Sequence, residues 1–280
     1  MRNIPVYDKY NGEKRIALLD NSTIAFMHEL HNKGINSENL LQDYDCIFLP
    51  DWVAEEVRDS EFRVKYIEQL VCMGIPIFII KENTYSELMD GQELYLYHIV
   101  KAAVSKLGIF LKYMRQNVEK DDPLDMEPYE EWIQKMYVNW PLLGEHTSNR
   151  RIKKKNAGEI SLTILTEIFS WHYPDIEVLT VYTQDTVSYA FQKHAEDKLK
   201  KIFKNESPVS VTYRSNDAIL CQLYRNAQLS LKEIEDIRKD TRTVTYTLER
   251  ADKTIVLETK KLDNEAFIKL IQNDSAQIIF

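Results

Sequence analysis

Glycine and proline are scarce, at 7 and 8 of 280 residues. That excludes collagen-like repeats and low-complexity chains rich in both. Cysteine is scarcer still: Cys46, Cys72 and Cys221 are far apart and show no C-x-x-C spacing. A disulfide framework, a zinc ribbon and a dithiol redox pair are thereby excluded, and three buried, reduced thiols are expected. No apolar run approaches the ~20 residues of a membrane-spanning helix, and no apolar stretch of signal-peptide type follows the first ten residues. A cytoplasmic address without a membrane partner is expected. Positive charge is also short, since 36 Lys and Arg stand against 44 Asp and Glu, for a formal net charge of -8. Such a chain cannot hold nucleic acid by bulk electrostatics and would need local basic patches.

Two such patches are present. Residues 149–156 read NRRIKKKN, which places Arg150, Arg151, Lys153, Lys154 and Lys155 in one run, and Lys198, Lys200, Lys201 and Lys204 form the second. With 44% hydrophobic and 29% charged residues, the rest is ordinary folded protein. Its apolar residues are grouped in short runs. The run 16–19 leads through Asp20-Asn21-Ser22, which is helix-capping chemistry, into Ile24, Met27 and Leu30 at helical spacing. The run 46–49 ends at Pro50-Asp51 and leads into a second helical pattern, and Gly74 separates that pattern from a third run, 75–80. Runs too continuously apolar for a wet face, alternating with helices, predict a parallel sheet covered on both sides.

Residues 83–149 lose the strand pattern and read as a helical insert. Its aromatic cluster, Trp132, Tyr137 and Trp140, is assigned to packing rather than to base stacking. The α/β rhythm then resumes with helix 157–171, strand 178–182, helix 186–203, strand 209–213 and a short helix at 218–224. Residues 243–250 and 253–259 alternate as a hairpin about Ala251-Asp252, and a helix follows at 264–272. The fold class expected is α/β, with a central parallel sheet of about five strands, helices on both faces, the insert, and a small C-terminal hairpin and helix. A first unit of 1–230 and an appendage of 231–280 follow. His28 and His31 share a helical face, but two ligands without a third make a weak metal site, so both are read as solvated or packed.

Ligands of open parallel sheets gather beyond the carboxyl ends of the strands. Asp20 follows the first strand and Asp185 the fourth, while Glu56 and Glu159 lie near the starts of helices that open toward the same mouth. Four carboxylates there repel one another unless a divalent cation neutralises them. Oxygen ligands of this kind suit Mg²⁺ or Mn²⁺, and such a centre suits phosphodiester hydrolysis. The alternative is that these acids are caps and surface charges.

The motifs also resemble a known family. IALLDNSTI (16–24) resembles the opening strand of PIN-domain nucleases, with Ser22 two positions after the acid. FLPDWVAEEV (48–57) is similar to that family's strand, proline and helix, and places its acid on Glu56, with Glu55 and Asp51 as competitors. NAGEISLTILTEIF (156–169) resembles the helix of the third acid, and VLTVYTQDTVSYA (178–190) the strand with a Thr-x-Asp end, here Thr183 and Asp185. The resemblance covers residues 15–225, interrupted by the insert, and implies a PIN-like fold. It also implies a metal-dependent endoribonuclease in which Asp20, Glu56, Glu159 and Asp185 hold Mg²⁺ or Mn²⁺ and catalyse, supported by Ser22 and Thr183, with the run from Arg150 to Lys155 binding nucleic acid. RNA is the expected partner ahead of DNA, and a homo-oligomer or a regulatory protein partner is left open. A structure-specific DNA nuclease and a non-catalytic PIN-like scaffold remain the alternatives. A haloacid-dehalogenase phosphatase also opens with a strand and Asp, but needs a second Asp where Ser22 stands.

Overall fold

The computed structural model describes residues 4–146, 152–204, 206–250 and 252–280. In chain order the elements are β1 (Val6–Tyr7), β2 (Arg15–Leu19), α1 (Asn21–Asn32), β3 (Cys46–Pro50), α2 (Asp51–Val57), α3 (Glu61–Cys72) and β4 (Ile77–Ile80). The second quarter holds α4 (Tyr85–Leu88), α5 (Glu93–Ala103), α6 (Gly108–Asn117) and α7 (Tyr129–Val138), then a short hairpin of β5 (Leu143–His146) and β6 (Ile152–Lys154). There follow α8 (Ala157–His172), β7 (Val178–Tyr182), α9 (Thr186–Ile202), β8 (Val211–Arg214), α10 (Asn216–Arg225) and α11 (Leu231–Ile237). The chain closes with β9 (Arg242–Glu249), β10 (Ile255–Leu262), α12 (Asn264–Ile271) and β11 (Ala276–Ile278).

The expected α/β class holds. Six strands form one parallel sheet in the order β1-β4-β3-β2-β7-β8. Five of them are the five apolar runs, and β1 adds a two-residue edge strand beside β4. Successive side chains of a strand point to opposite faces, and the core divides accordingly. Ile16, Leu18, Phe48, Leu179 and Val181 pack into one apolar layer, while Ala17, Leu19, Ile47, Leu49 and Tyr182 pack into the other.

Local chemistry sets the helix ends. Asp20, Ser60, Asp185, Ser215 and Asp263 cap their helices, and Ser230 with Glu233 forms a reciprocal capping box. Gly74, at φ 88°, ends α3 in the left-handed conformation, while the Ile75 amide donates to Leu70 O at 3.1 Å. The third apolar run therefore begins as loop, and pairing starts only at Ile77.

The insert is part of the core. Helix α5 lies against α8 and α9, and Trp132, Ile133, Met136 and Trp140 are buried, which meets the packing assignment for both tryptophans, whereas Tyr137 is half-buried, stacks on Trp52 and borders a cleft. Its helices end at Val138, so the insert expected to lack strands to residue 149 instead holds β5 at Leu143–His146, paired with β6 just before α8. The C-terminal hairpin gains a third strand, giving the order β10-β9-β11, and Val244, Tyr246, Phe267 and Ile278 share the second apolar layer with the sheet. Ala251 lies outside the described residues. The buried-thiol expectation holds for Cys46 and Cys221 but fails for Cys72, which ends α3 on its outward side; all three are free. His28 and His31 pack their rings on Tyr66.

Candidate functional site

The chain leaves β2 toward β3 and β4 on one side and returns to β7 and β8 on the other, so the sheet's switch point lies between β2 and β7. Asp20 and Asp185 follow these two strands. The Asp20 amide donates to Tyr182 O at 2.9 Å, which ties the two strand ends together.

Asp20 caps α1 and does more. Its Oδ1 accepts from the Asn21 amide at 2.7 Å, and its Oδ2 accepts from Ser22 Oγ at 2.6 Å and Thr183 Oγ1 at 2.9 Å. Ser22 Oγ in turn accepts from the Gln184 amide at 3.2 Å, and Thr183 Oγ1 from the Asp185 amide at 3.1 Å. Ser22 and Thr183 therefore lock the Asp20 carboxylate while knitting β2 to the loop after β7. Asp185 caps α9 through Oδ1, which accepts from the Val187 amide at 2.7 Å. Capping uses one oxygen of each aspartate, so the cap role and the cluster coexist.

Glu56 reaches the same mouth from α2, which packs against α8. Gly158 makes that approach possible: a Cβ there would stand 3.0 Å from Glu56 Oε1 and 3.3 Å from its Cδ. Glu159, next in the first turn of α8, has a buried Oε2 with no hydrogen-bond partner. The neighbouring Glu55 borders the cleft as well, but its carboxylate is paired with Arg58. Adjacent residues on a helix project about 100° apart, and of the two it is Glu56 that faces Asp20 and Glu159. Glu56→Gln is accordingly expected to lower any metal-dependent activity at least tenfold and Glu55→Gln less than threefold, measured as initial rates at equal protein. The reverse order would reassign the site to Glu55.

Electrostatics join the four acids. Burial raises the Asp20 carboxyl above its ordinary range, against the opposing effect of its hydrogen bonds, and Asp185 adds to the rise. Burial likewise raises Glu56, with Lys153 and the Gly158 amide pulling it down and Asp20 pushing it up. Glu159 is pushed up to about 8, by burial first and then by Glu56, Asp20 and Asp185. Burial and the three neighbouring carboxylates thus favour the neutral form of Glu159, and added positive charge would favour the ionised one.

No family model and no curated protein matches the chain. The assignment of the site therefore rests on this chain's own geometry. Among the described residues, no group of three or more His, Cys, Asp or Glu side chains is set to hold a metal ion as it stands. Oxygen donors from four segments, among them the buried and unpartnered Oε2 of Glu159, are the ligand type that a hard cation takes.

The basic run is divided by its strand. Lys153 sits on the cleft side, where it offsets Glu56, whereas Lys154 Nζ lies 4.2 Å from the centroid of the Tyr137 ring. Lys155 is exposed before Asn156, whose φ of 61° turns the chain into α8. Arg150 and Arg151 lie outside the described residues. A cleft of about 280 Å³ is lined by Glu56, Asp59, Trp52, Tyr137, Lys153 and Lys154. Asp59, Gly158 and Gln184 were not singled out by sequence. Only Gly158 carried a signal, as a glycine inside the first turn of a helix beside an acid.

Proposed function

We propose that this chain is a metal-dependent nuclease of PIN type that hydrolyses phosphodiester bonds, in RNA before DNA, with Asp20, Glu56, Glu159 and Asp185 holding Mg²⁺ or Mn²⁺. The observation that carries the reading is the placement of these acids at the switch point of the sheet, where Asp20 and Asp185 follow adjacent strands, Gly158 lets Glu56 approach and Glu159 Oε2 is buried without a partner. An ion bound there would supply stabilisation of charge on phosphate oxygens and a lowered pKa for water. The residues of the chain prepare that chemistry. Ser22 and Thr183 orient Asp20, the Gly158 amide faces Glu56, and the buried, unpartnered Glu159 Oε2 is left to face positive charge that enters. Lys153 and Lys155 would draw substrate phosphates to the rim beside the N-terminus of α8.

The test is incubation of the purified protein with structured and unstructured RNA and DNA in Mg²⁺, Mn²⁺ or EDTA, with product ends mapped. Cleavage in either metal, abolished by EDTA, is expected. Intact substrates throughout, with no stabilisation by Mn²⁺ in thermal melts, would overturn the reading. Stable RNA binding without cleavage would point to a non-catalytic PIN-like module, and preferential cutting of DNA junctions to a structure-specific DNA nuclease.

The basic run makes a separate prediction. Replacing Lys153, Lys154 and Lys155 together with Ala should raise Kd for single-stranded RNA about tenfold. It should also flatten the slope of log affinity against log salt by ~0.7 per lost phosphate contact. Anisotropy in Ca²⁺, which separates binding from turnover, reads both. An unchanged slope would move the substrate path away from this hairpin.

A further inference from the structure

The second basic run, Lys198 to Lys204, has no part in the carboxylate cluster, and the structure divides it between two faces of α9. Residues three, four and seven apart share a helix face. His194, Lys198 and Lys201 therefore form one stripe, and Lys193, Glu196 and Lys200 another. In the second stripe Glu196 neutralises both neighbours, with Lys193 Nζ at 3.0 Å and Lys200 Nζ at 2.6 Å. In the first, Lys198 and Lys201 are exposed, and among the described residues neither has an ion-pair or hydrogen-bond partner.

The helical insert adds to the unpaired stripe. Helix α5 packs against α9, and the chain leaving α5 carries Lys106, which is exposed and equally unpaired among the described residues. All three lysines bear on the half-buried His194: burial first, then Lys106, Lys198 and Lys201 lower its pKa, while Asp197 opposes them. Cations from two distant parts of the chain thus gather around one point, with Asp197 as the opposing charge. In a chain of formal net charge -8, such a local positive field is what phosphate binding requires.

Helix α9 links this stripe to the site. It begins at Asp185, which caps it, and no acid lies on it before Glu196. Val187 and Ala190 continue the face of His194 back to the mouth of the sheet. From Asp185 to Lys201 the axis runs about 24 Å, at ~1.5 Å per residue. A stacked strand with ~3.4 Å between phosphates covers that distance in about seven nucleotides.

We propose that His194, Lys198 and Lys201, with Lys106, form a second contact surface for RNA, which holds the phosphate backbone of a strand about seven nucleotides from its bond at the carboxylate cluster. The inference rests on the nuclease reading, because that reading puts a strand at the mouth. Lysine ammoniums meet phosphates as point charges and read no bases. The surface therefore sets the length of RNA that binds tightly, and not its sequence.

Anisotropy of fluorescein-labelled RNA 4-mers and 12-mers of mixed sequence, in Ca²⁺, tests the surface, because only the longer strand spans both ends of α9. The wild-type protein should bind the 12-mer at least tenfold more tightly than the 4-mer. Lys198→Ala with Lys201→Ala should weaken 12-mer binding at least fivefold, flatten its slope of log affinity against log salt by ~1.4 for two lost phosphate contacts, and leave the 4-mer unchanged. Adding Lys106→Ala should cost at least a further twofold. Lys193→Ala with Lys200→Ala removes the same charge from the paired stripe and should change 12-mer binding less than twofold. Equal wild-type affinity for the two lengths, equal losses in the two double variants, or no loss in either would overturn the surface, and metal-dependent cleavage would then leave the nuclease reading standing. No binding of either RNA, together with no metal-dependent cleavage, would overturn both.

Discussion

Asp20→Asn should abolish metal-dependent cleavage, by a factor on the order of 10³ or more, while the protein still melts cooperatively. The reason lies in how this carboxylate is held. All its hydrogen bonds are accepted, two of them from hydroxyls that are themselves acceptors for backbone amides. An amide nitrogen in place of Oδ2 offers hydrogens to Ser22 and Thr183, whose hydroxyls must then turn, and it removes the negative charge that the cluster needs. Burial already disfavours the Asp20 charge, so its loss does not cost the fold what loss of a surface ion pair partner would suggest. Asp185→Asn should cost a similar factor, since it retains the cap oxygen and loses the charge. Rates from single-turnover cleavage, with circular dichroism melts of each variant, separate the two effects. Wild-type rates in either variant would remove that residue from the site.

Arg238→Met should destabilise the protein by about 3–5 kcal/mol, the usual result of leaving one partner of a buried ion pair behind. Arg238 is fully buried after α11. Its Nε donates to both oxygens of Asp217 at 3.1 Å, and its Nη2 donates to Leu262 O at 3.1 Å. The guanidinium also lies 4.4 Å from the centroid of the Phe267 ring. One side chain thus joins the first turn of α10 to the end of β10 and to α12. Methionine fills much of the space but strands the Asp217 carboxylate, for which Arg242, at 3.4 Å, is the remaining cation. A chemical melt followed by tryptophan fluorescence and far-ultraviolet dichroism should show one transition shifted to lower denaturant. Two separated transitions would mean that residues 231–280 unfold independently of the sheet.

The sheet was legible because its central strands β2, β3 and β7 are buried on both faces, which leaves runs such as CIFL and VLTVY with no competing pattern. The strands that escaped are those whose existence depends on a partner. Val6–Tyr7 is two residues long, Leu143–His146 and Ile152–Lys154 are partly exposed, and Ala276–Ile278 exists only through its register with β9. At the site, Asp20, Glu56, Glu159 and Asp185 could be placed because strand ends and first helical turns fix direction locally. Gln184 could not, because its role is to accept from the Asn216 amide at 2.9 Å across two loops. The basic run was readable as charge but not as geometry: strand alternation sends Lys153 and Lys154 to different neighbours.

The pairing of β2 with β7 joins Arg15 to Val178 and Leu19 to Tyr182. Strand β2 is synthesised early, yet one of its edges has no partner until β7 has left the ribosome. At ~5–20 residues per second the wait is on the order of 10 s. For that interval the nascent chain carries an open, apolar strand edge, which makes early fragments prone to association. It also carries no assembled carboxylate cluster, because Thr183 and Asp185 arrive with the partner strand. A growing or truncated chain therefore lacks the four-acid arrangement on which the proposed chemistry depends until β7 has paired with β2.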